Sequence, residues 1–317
     1  MASFFDVMHE PPVDFSKGEF YPWPNRFSIE TSAYCNRRCS FCPISGFGGD
    51  IPRPNQKLMS EELFTSICDQ LREHQFDGCI QLFLLNEPTL DKRLFSSDDS
   101  SWAMRLRRAC PDCTIYVSTN GDTITRGPRD QIIAMVDRIT DIFDSGVNVI
   151  NLNIYDLGDA GIKQKELYES IDSTGRAHDL WCRTDHKYRR HNSRGRFLCI
   201  SDMRSDRPEN AHSFDSFHSK GHAASAPQTH CARPHRHLVI QYDGRVPLCC
   251  AIDQTQDDAV FIGDLNHQTI DQVWNSEIMF RYRAHLQDKR RDLPNCNSCD
   301  HKMSYSHVVR RVTGVTL

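Results

Sequence analysis

Short apolar strand patterns alternate with amphipathic helical patterns through the first half of this 317-residue chain. Strand patterns occupy residues 26–31, 79–85, 114–118 and 148–154. Apolar residues at helical spacing occur from residue 60 onwards, near 102–108 and over 130–143. Strands separated by helices of about 10 to 15 residues pair in parallel through right-handed crossovers. We therefore expect an α/β fold, a partial (β/α)6 barrel with its chemistry at the carboxyl ends of the strands.

The pattern weakens beyond 155 and changes character near 228. A helix over 166–171 and strands over 179–183 and 197–200 complete the expected barrel. The Asp243-Gly244 pair between apolar runs at 237–241 and 246–249 predicts a β-hairpin, and a helix bearing Trp274 follows. The predicted organisation is an arm over 1–26, the partial barrel over 27–228, and a small α+β domain over 229–317.

Fourteen cysteines make up about 4% of the chain. The N-terminal segment carries Asp6 and Glu10 where a secretory signal needs a basic start and an apolar core. The longest apolar runs are also far shorter than the roughly 18 residues that indicate a membrane span. We therefore expect a cytoplasmic protein without a membrane partner. In that reducing compartment the cysteines favour metal binding or redox chemistry over disulfides.

Charge is distributed unevenly along the chain. The formal net charge is -4, yet residues 183–236 hold eleven Lys and Arg against five Asp and Glu, together with seven of the fifteen histidines. The overall acidic balance argues against a nucleic-acid partner. The basic segment is interpreted either as a binding surface for an anionic group or as a solvated polar loop.

Three cysteines, Cys35, Cys39 and Cys42, follow the first predicted strand at CxxxCxxC spacing. A structural zinc site uses four protein ligands, whereas a [4Fe-4S] cluster held by three cysteines leaves one iron open to another ligand. This motif, with the aromatic Phe41 before its last cysteine, resembles the radical S-adenosylmethionine superfamily. The resemblance implies a [4Fe-4S] cluster on these three cysteines.

Four further segments are similar to motifs of that superfamily, and the first three lie at the ends of predicted strands. They are LNEP at 85–88, which replaces both glycines of a GGEP-like motif, STNG at 118–121, NLN at 151–153 and NSRG at 192–195. A carboxylate at the end of a strand accepts hydrogen bonds from the amino group of a ligand. The residues that the resemblance assigns to S-adenosylmethionine binding are Phe41, Glu87, Ser118, Asn120, Asn153 and Arg194.

The C-terminal segment resembles the shortened SPASM, or twitch-type, extension of the same superfamily. Its features are a cysteine before the Asp243-Gly244 turn, a cysteine after it, a tryptophan-bearing helix and a final CxxC pair. The resemblance implies a second, auxiliary [4Fe-4S] cluster with four thiolate ligands. A structural zinc ion is the alternative occupant of such a site. The ligands implied by the resemblance are Cys231, Cys249, Cys296 and Cys299.

Cys250 adjoins one of these expected ligands. Neighbouring residues in a strand point to opposite sides, so a thiol beside a ligand can face a substrate cavity. There it would return a hydrogen atom to a substrate radical. Two alternatives stay open: Cys250 is the ligand and Cys249 the spare, or the spare cysteine is inert.

The resemblance implies that a one-electron donor such as flavodoxin or ferredoxin drives cleavage of S-adenosylmethionine to a 5′-deoxyadenosyl radical, which abstracts a hydrogen atom from substrate. Epimerisation requires a thiol donor such as Cys250, and dehydrogenation requires the auxiliary cluster as electron acceptor. Only about 26 residues precede the first strand, which favours a small polar substrate (a sugar, amino-sugar or nucleoside) over a ribosomal peptide. Asp156, Asp185 and Asp202 are candidate acids near strand ends.

Two alternatives from other classes remain. One is an iron-sulfur electron carrier without catalysis, and the other is a zinc-stabilised binding module. Neither needs the LNEP and STNG segments.

Overall fold

The structure, a computed structural model, describes residues 23–39, 42, 57–96, 100–128, 131–172, 182–184, 195–203, 231–250, 260–286, 289–293 and 296–297. No helix within these ranges has the length and apolar character needed to cross a membrane.

Seven parallel strands form the main sheet, in the order β5-β6-β4-β3-β2-β1-β7. The sheet confirms the expected α/β partial barrel, with β6 lying between β4 and the short edge strand β5. The strands are β1 (Arg26–Ile29), β2 (Cys79–Gln81), β3 (Thr114–Thr119), β4 (Val149–Ile154), β5 (Cys182–Thr184), β6 (Phe197–Asp202) and β7 (His237–Ile240).

Four helices connect the strands at the expected places: α1 (Glu61–Glu73), α2 (Trp102–Ala109), α3 (Ile132–Asp144) and α4 (Gly158–Asp172). The Ser60 hydroxyl caps α1 by accepting a hydrogen bond from the Leu63 N–H at 3.1 Å, as the sequence predicts. Helix α4 begins eight residues before its predicted start. The strand expected over 79–85 ends at Gln81, so the chain is free to turn before it reaches Glu87.

The two faces of the sheet differ in polarity because alternate residues of a strand point to opposite sides. The face that packs against the helices is apolar and buried. Its members include Phe27, Ile29, Ile80, Ile115, Val117, Ile150, Leu152, Leu198, Ile200, Leu238 and Ile240. The opposite face, here called the inner face, carries Ser28, Gln81, Tyr116, Ser118, Asn151, Asn153, Ser201 and His237. The inner face thus carries many hydrogen-bonding groups, together with apolar residues such as Val149 and Val239.

The predicted hairpin around Asp243-Gly244 is wrong, although the turn itself is present. The Gln241 N–H donates to the Arg245 carbonyl at 3.0 Å, and Gly244 has a φ of 87°. Strand β7 pairs with β1 in the main sheet, whereas β8 (Arg245–Pro247) pairs antiparallel with β9 (Phe261–Asp264). All four residues of β7 are buried, which suits the edge strand of a covered parallel sheet better than half of an exposed hairpin.

The described part of the C-terminal domain contains two short helices, α5 (Ile270–Trp274) and α6 (Glu277–His285). Trp274 is fully buried, with the Arg283 guanidinium 3.8 Å above its ring. The main sheet takes its seventh strand from beyond residue 228, and the boundary itself stays a prediction.

Candidate active site

The carboxylate of Glu87 lies where the chain leaves β2 and reaches the end of β3. It is 2% exposed, and its backbone N–H donates to the Tyr34 carbonyl, next to Cys35, at 2.8 Å. Its Oε1 accepts hydrogen bonds from the Thr119 hydroxyl at 2.6 Å and from the Thr89 hydroxyl and N–H. Its Oε2 accepts the Asn120 N–H at 2.8 Å.

These bonds leave Glu87 with capacity for one more donor. Oε1 holds three donors and Oε2 holds one, and a carboxylate oxygen has about two acceptor positions. Burial raises the pKa of Glu87 above 4.5, and the four hydrogen bonds oppose this rise. A cationic amino group at Oε2 would favour the charged carboxylate.

Asn120 connects Glu87 to the cysteine loop, defined here as residues 35–39 and 42. Its Nδ2 donates to Asn36 Oδ1 at 2.9 Å and lies 4.0 Å from the Cys35 sulfur. Its carbonyl accepts a hydrogen bond from the Tyr168 hydroxyl of α4 at 2.8 Å. The end of β3 is thus joined both to the acidic residue of LNEP and to the first cysteine of CxxxCxxC.

The three loop cysteines are half-buried. Burial raises the pKa of the Cys35 thiol to about 12, and nearby Glu87, Cys42 and Cys39 act in the same direction. A metal that binds thiolates reverses such a shift by displacing the protons. Three thiols on one loop, next to an acceptor for an amino group, fit a three-cysteine [4Fe-4S] cluster with an open iron.

The potential metal-ligating side chains do not form a closed site in the described residues. Among them, no three His, Cys, Asp or Glu side chains meet closely enough to hold a metal ion. The fit therefore rests on the chemistry of three thiols that share one loop beside Glu87, and the cysteine assignments stay predictions.

Ser118 and Asn153 meet on the inner face. Asn153 Nδ2 donates to the Ser118 hydroxyl at 2.7 Å and to the Thr119 carbonyl at 3.2 Å. Asn151 Nδ2 donates to Asn153 Oδ1 at 2.9 Å, and Asn151 Oδ1 accepts from the Ser201 hydroxyl at 2.8 Å. Sequence reasoning assigned Asn153 and missed Asn151, although polar residues at every second position of β4 were the available signal.

Three of the four expected auxiliary ligands belong to the described residues: Cys231, Cys249 and Cys296. Cys231 packs beside the core, with its N–H donating to the Leu286 carbonyl at 2.8 Å, and Cys296 is 8% exposed. The Arg233 guanidinium donates to the Cys250 sulfur at 3.3 Å. This contact gives Cys250 a cationic neighbour.

Three predicted site residues lie outside the described residues: Phe41, Arg194 and Cys299. So do Asp185 and most of the basic segment. His237, one residue beyond that segment, is buried on the inner face. Burial lowers its pKa well below 6.5, with nearby Arg26, Arg233 and Arg236 adding to the effect. His237 is therefore neutral at physiological pH.

The sequence interpretation missed an ion-pair network on the cysteine loop. Arg37 binds the Asp122 carboxylate through two nitrogens, including Nε to Oδ2 at 2.7 Å, and donates from Nη1 to Asp156 Oδ1 at 2.8 Å. Asp156, expected as a candidate substrate-binding acid, is therefore paired within the protein. No sequence signal indicated this pairing because the three residues belong to three separate loops.

Glu30, at the end of β1, was also missed. It is 2% exposed, and its Oε1 accepts the Leu85 N–H at 3.3 Å. The Tyr242 N–H donates to the same carboxylate. Glu30 thus links the LNEP segment to the turn that follows β7. Burial raises its pKa to about 8.

Comparison with known proteins bears on the fold and on the type of the C-terminal domain. Residues 231–300 match the SPASM family model, described as an iron-sulfur cluster-binding domain. A search of curated proteins gives no significant match.

Solved structures share the fold at low sequence identity. BtrN in complex with AdoMet and 2-DOIA is similar with a TM-score of 0.59 and 16% identity over 89% of this chain and 94% of BtrN. BtrN in an open conformation is similar with a TM-score of 0.56 and 19% identity over 87% of this chain and 92% of BtrN. Native anSMEcpe with bound AdoMet has a TM-score of 0.47 and 12% identity over 90% of this chain and 95% of anSMEcpe. The resemblance inferred from the sequence is confirmed at the level of fold and C-terminal domain: the chain shares the partial-barrel fold of BtrN, and residues 231–300 match the iron-sulfur cluster-binding domain of the SPASM type.

Proposed function

We propose that the chain reductively cleaves S-adenosylmethionine and uses the resulting radical to abstract a hydrogen atom from a small polar substrate. The cleavage consumes one electron from an external donor such as flavodoxin or ferredoxin and yields methionine and, after hydrogen abstraction, 5′-deoxyadenosine. The iron-sulfur cluster on Cys35, Cys39 and Cys42 supplies the electron transfer when bound.

One observation carries this proposal: three motifs assigned separately from the sequence are in hydrogen-bond contact. Glu87 accepts the Asn120 N–H at 2.8 Å, and Asn120 reaches Asn36, the neighbour of Cys35, at 2.9 Å. An electron carrier or a zinc module has no need for a buried carboxylate with a spare acceptor position beside its cysteines. A ligand whose amino group binds both the open iron and Glu87 does need this arrangement.

The similar fold of BtrN in complex with AdoMet and 2-DOIA supports the same ligand and substrate class. In this chain, Glu87 would hold the amino group of S-adenosylmethionine. Ser118, Asn120 and Asn153 would orient the nucleoside from the ends of β3 and β4. Holding the reacting atoms in place and excluding water are the tasks left to the protein.

The inner face supports a small polar substrate. Ser28 donates to Gln81 Oε1 at 2.9 Å and lies 3.0 Å from His237 Nε2. Across the sheet, Asn151 and Ser201 form a second neutral hydrogen-bonding group at 2.8 Å. Uncharged donors and acceptors of this kind suit hydroxyl and amide groups better than an apolar substrate.

The reaction outcome depends on the C-terminal domain. Loss of an electron from the substrate radical to an auxiliary cluster, with loss of a proton to solvent, would give dehydrogenation, whereas a hydrogen atom returned by a thiol would give epimerisation. Cys250 is the proposed donor, and the Arg233 guanidinium donates a hydrogen bond to its sulfur at 3.3 Å.

Anaerobic purification with iron and sulfide counting, followed by a dithionite-driven assay for 5′-deoxyadenosine, tests the proposal. We expect about eight irons per chain and turnover of S-adenosylmethionine. About four irons with turnover would indicate that the chain binds no auxiliary cluster. Iron without turnover would indicate an electron carrier, and zinc without iron would indicate a binding module.

A further inference from the structure

Arg37 occupies the middle of the cysteine loop, two residues after Cys35 and two before Cys39. Its guanidinium binds Asp122, just past β3, and Asp156, just past β4. The side chain is 16% exposed, although the loop neighbours Asn36 and Arg38 are exposed. A charged side chain that turns inward from an exposed loop and binds two carboxylates is a fixed part of the structure.

We propose that Arg37 is a positioning residue that clamps the cysteine loop to the ends of β3 and β4 and thereby sets the affinity for S-adenosylmethionine. Only the effect on S-adenosylmethionine affinity rests on the proposed function. The clamp itself is a property of the protein before any cofactor binds.

The bonding pattern fixes the direction as well as the distance of the loop. Nε and Nη2 of Arg37 bind both oxygens of Asp122, which is the two-point geometry that only a planar guanidinium provides. Nη1 adds Asp156 at 2.8 Å. Asn36 Nδ2 donates to Asp122 Oδ2 at 2.7 Å, so two successive loop residues bind one carboxylate.

Asp122 is itself held in place by Asn120. The Asp122 N–H donates to Asn120 Oδ1 at 3.0 Å, and Asn120 donates through its own N–H to Glu87. A continuous chain of hydrogen bonds therefore leads from the Arg37 guanidinium to the carboxylate proposed to bind the amino group. Displacement of the loop would move the thiols relative to Glu87.

Charge gives the clamp a second effect. Asp122 and Asp156 bring two carboxylates to the cysteine loop, and the Arg37 guanidinium binds both of them. Without the guanidinium, two carboxylates would face a cluster of thiolates, and like charges at short range repel. Arg37 thus balances the acids that anchor the loop.

The test compares wild type with Arg37→Gln, Arg37→Lys and Asp156→Asn. Arg196→Gln is the matched control because Arg196 is also 16% exposed and pairs with one carboxylate, Asp144, at 2.6 Å. Hydrogen-deuterium exchange of the peptide covering 35–39 in metal-free protein measures the clamp. Equilibrium binding of S-adenosylmethionine to the reconstituted protein, and the change that it causes in the electron paramagnetic resonance spectrum, measure the effect on the site.

We expect Arg37→Gln to speed loop exchange about tenfold and to weaken S-adenosylmethionine binding about tenfold. Arg37→Lys keeps the charge but loses the two-point contact, so it should fall between Arg37→Gln and wild type. Asp156→Asn should shift both measurements in the same direction by a smaller factor. If Arg37→Gln fails to fold, Asp156→Asn still tests the inference. Arg196→Gln should leave both measurements unchanged.

Loop exchange and binding within twofold of wild type in Arg37→Gln would overturn the inference, as would equal effects in Arg196→Gln. If wild type itself fails to bind S-adenosylmethionine, the proposed function fails. Exchange in the metal-free protein still decides whether the clamp exists.

Discussion

The backbone N–H of Asn120 donates to Oε2 of Glu87 at 2.8 Å, which joins the end of β3 to the turn after β2. Because parallel strands end at the same edge of a sheet, side chains from distant parts of the sequence meet there. The Asn120 side chain extends the contact to the cysteine loop. One residue thus contacts two of the three segments on which the proposed function depends.

Glu87→Gln should weaken binding of S-adenosylmethionine more than tenfold while the iron content stays at the wild-type level. The substitution removes the negative charge, and an amide nitrogen at the Oε2 position would face the Asn120 N–H, donor against donor. Equilibrium binding to the reconstituted protein and iron counting check this expectation.

Glu61→Gln on the exposed face of α1 is the control for that substitution. Glu61 also accepts hydrogen bonds from side chains, those of Trp102 and Arg105, but it lies on a helix surface away from the cysteine loop. Unchanged affinity in Glu87→Gln, or an equal loss in Glu61→Gln, would contradict the role assigned to Glu87.

The contiguous parts of this site were predictable from the sequence, and the parts assembled from separate loops were not. LNEP and STNG are continuous strings, so Glu87 and Asn120 could be named from the sequence, and Asn120 directly follows β3, whereas β2 ends at Gln81, six residues before Glu87. Arg37 and its partners are charged residues whose sequence positions carry no shared pattern. Their pairing follows only from the relative placement of three loops.

The same distinction explains the error in the fold. The Asp243-Gly244 turn was predicted correctly because a tight turn is a local property of two residues. The assignment of β7 to the main sheet depends on the free edge of β1, more than 200 residues earlier in the chain. Local pattern cannot indicate which edge a strand will join.

Gly121→Ala should destabilise the protein and disturb the site. Gly121 has a φ of 74°, and a Cβ there would lie 2.1 Å from the Tyr168 hydroxyl, which donates to the Asn120 carbonyl. The backbone strain costs roughly 1–2 kcal/mol, and displacement of buried Tyr168 adds to it. Urea unfolding of metal-free protein measures the total.

Gly158→Ala separates the two contributions. Gly158 has a φ of 56° with open space around its Cβ position, so it carries the strain without the clash. We expect Gly121→Ala to cost about 2 kcal/mol more than Gly158→Ala and to be the only one of the two that weakens S-adenosylmethionine binding. Equal costs would show that Tyr168 adapts to the added methyl group.

Cys249→Ala and Cys250→Ala should have different effects on the auxiliary site. If Cys249 is the ligand, its removal lowers the iron content by about four per chain, and removal of Cys250 leaves it unchanged. A hydrogen-donor role predicts that Cys250→Ala still forms 5′-deoxyadenosine and loses both product and solvent-deuterium incorporation. Iron loss in Cys250→Ala instead would show that Cys250 is the ligand and Cys249 the spare cysteine.

Glu30→Gln should stabilise the metal-free protein increasingly as the pH rises from 5 to 8. Burial raises the pKa of Glu30 to about 8, while the unfolded chain has the ordinary value of 4.5. Between these values the folded protein keeps a proton that the unfolded chain has lost. Wild-type stability therefore falls with rising pH by at most about 1.4 kcal/mol per pH unit from this group, and the fall ends above pH 8.

Glutamine removes this titration and keeps an oxygen that accepts the Leu85 N–H. Nearby Asp243 and Arg245 act on Glu30 with opposite signs, and both remain in the variant. The difference in unfolding free energy between Glu30→Gln and wild type, measured in urea at pH 5.5, 6.5, 7.5 and 8.5, should widen up to about pH 8 and then level off. Parallel pH profiles would show that Glu30 is ionised in the folded protein across this range, with the hydrogen bonds from Leu85 and Tyr242 outweighing the effect of burial.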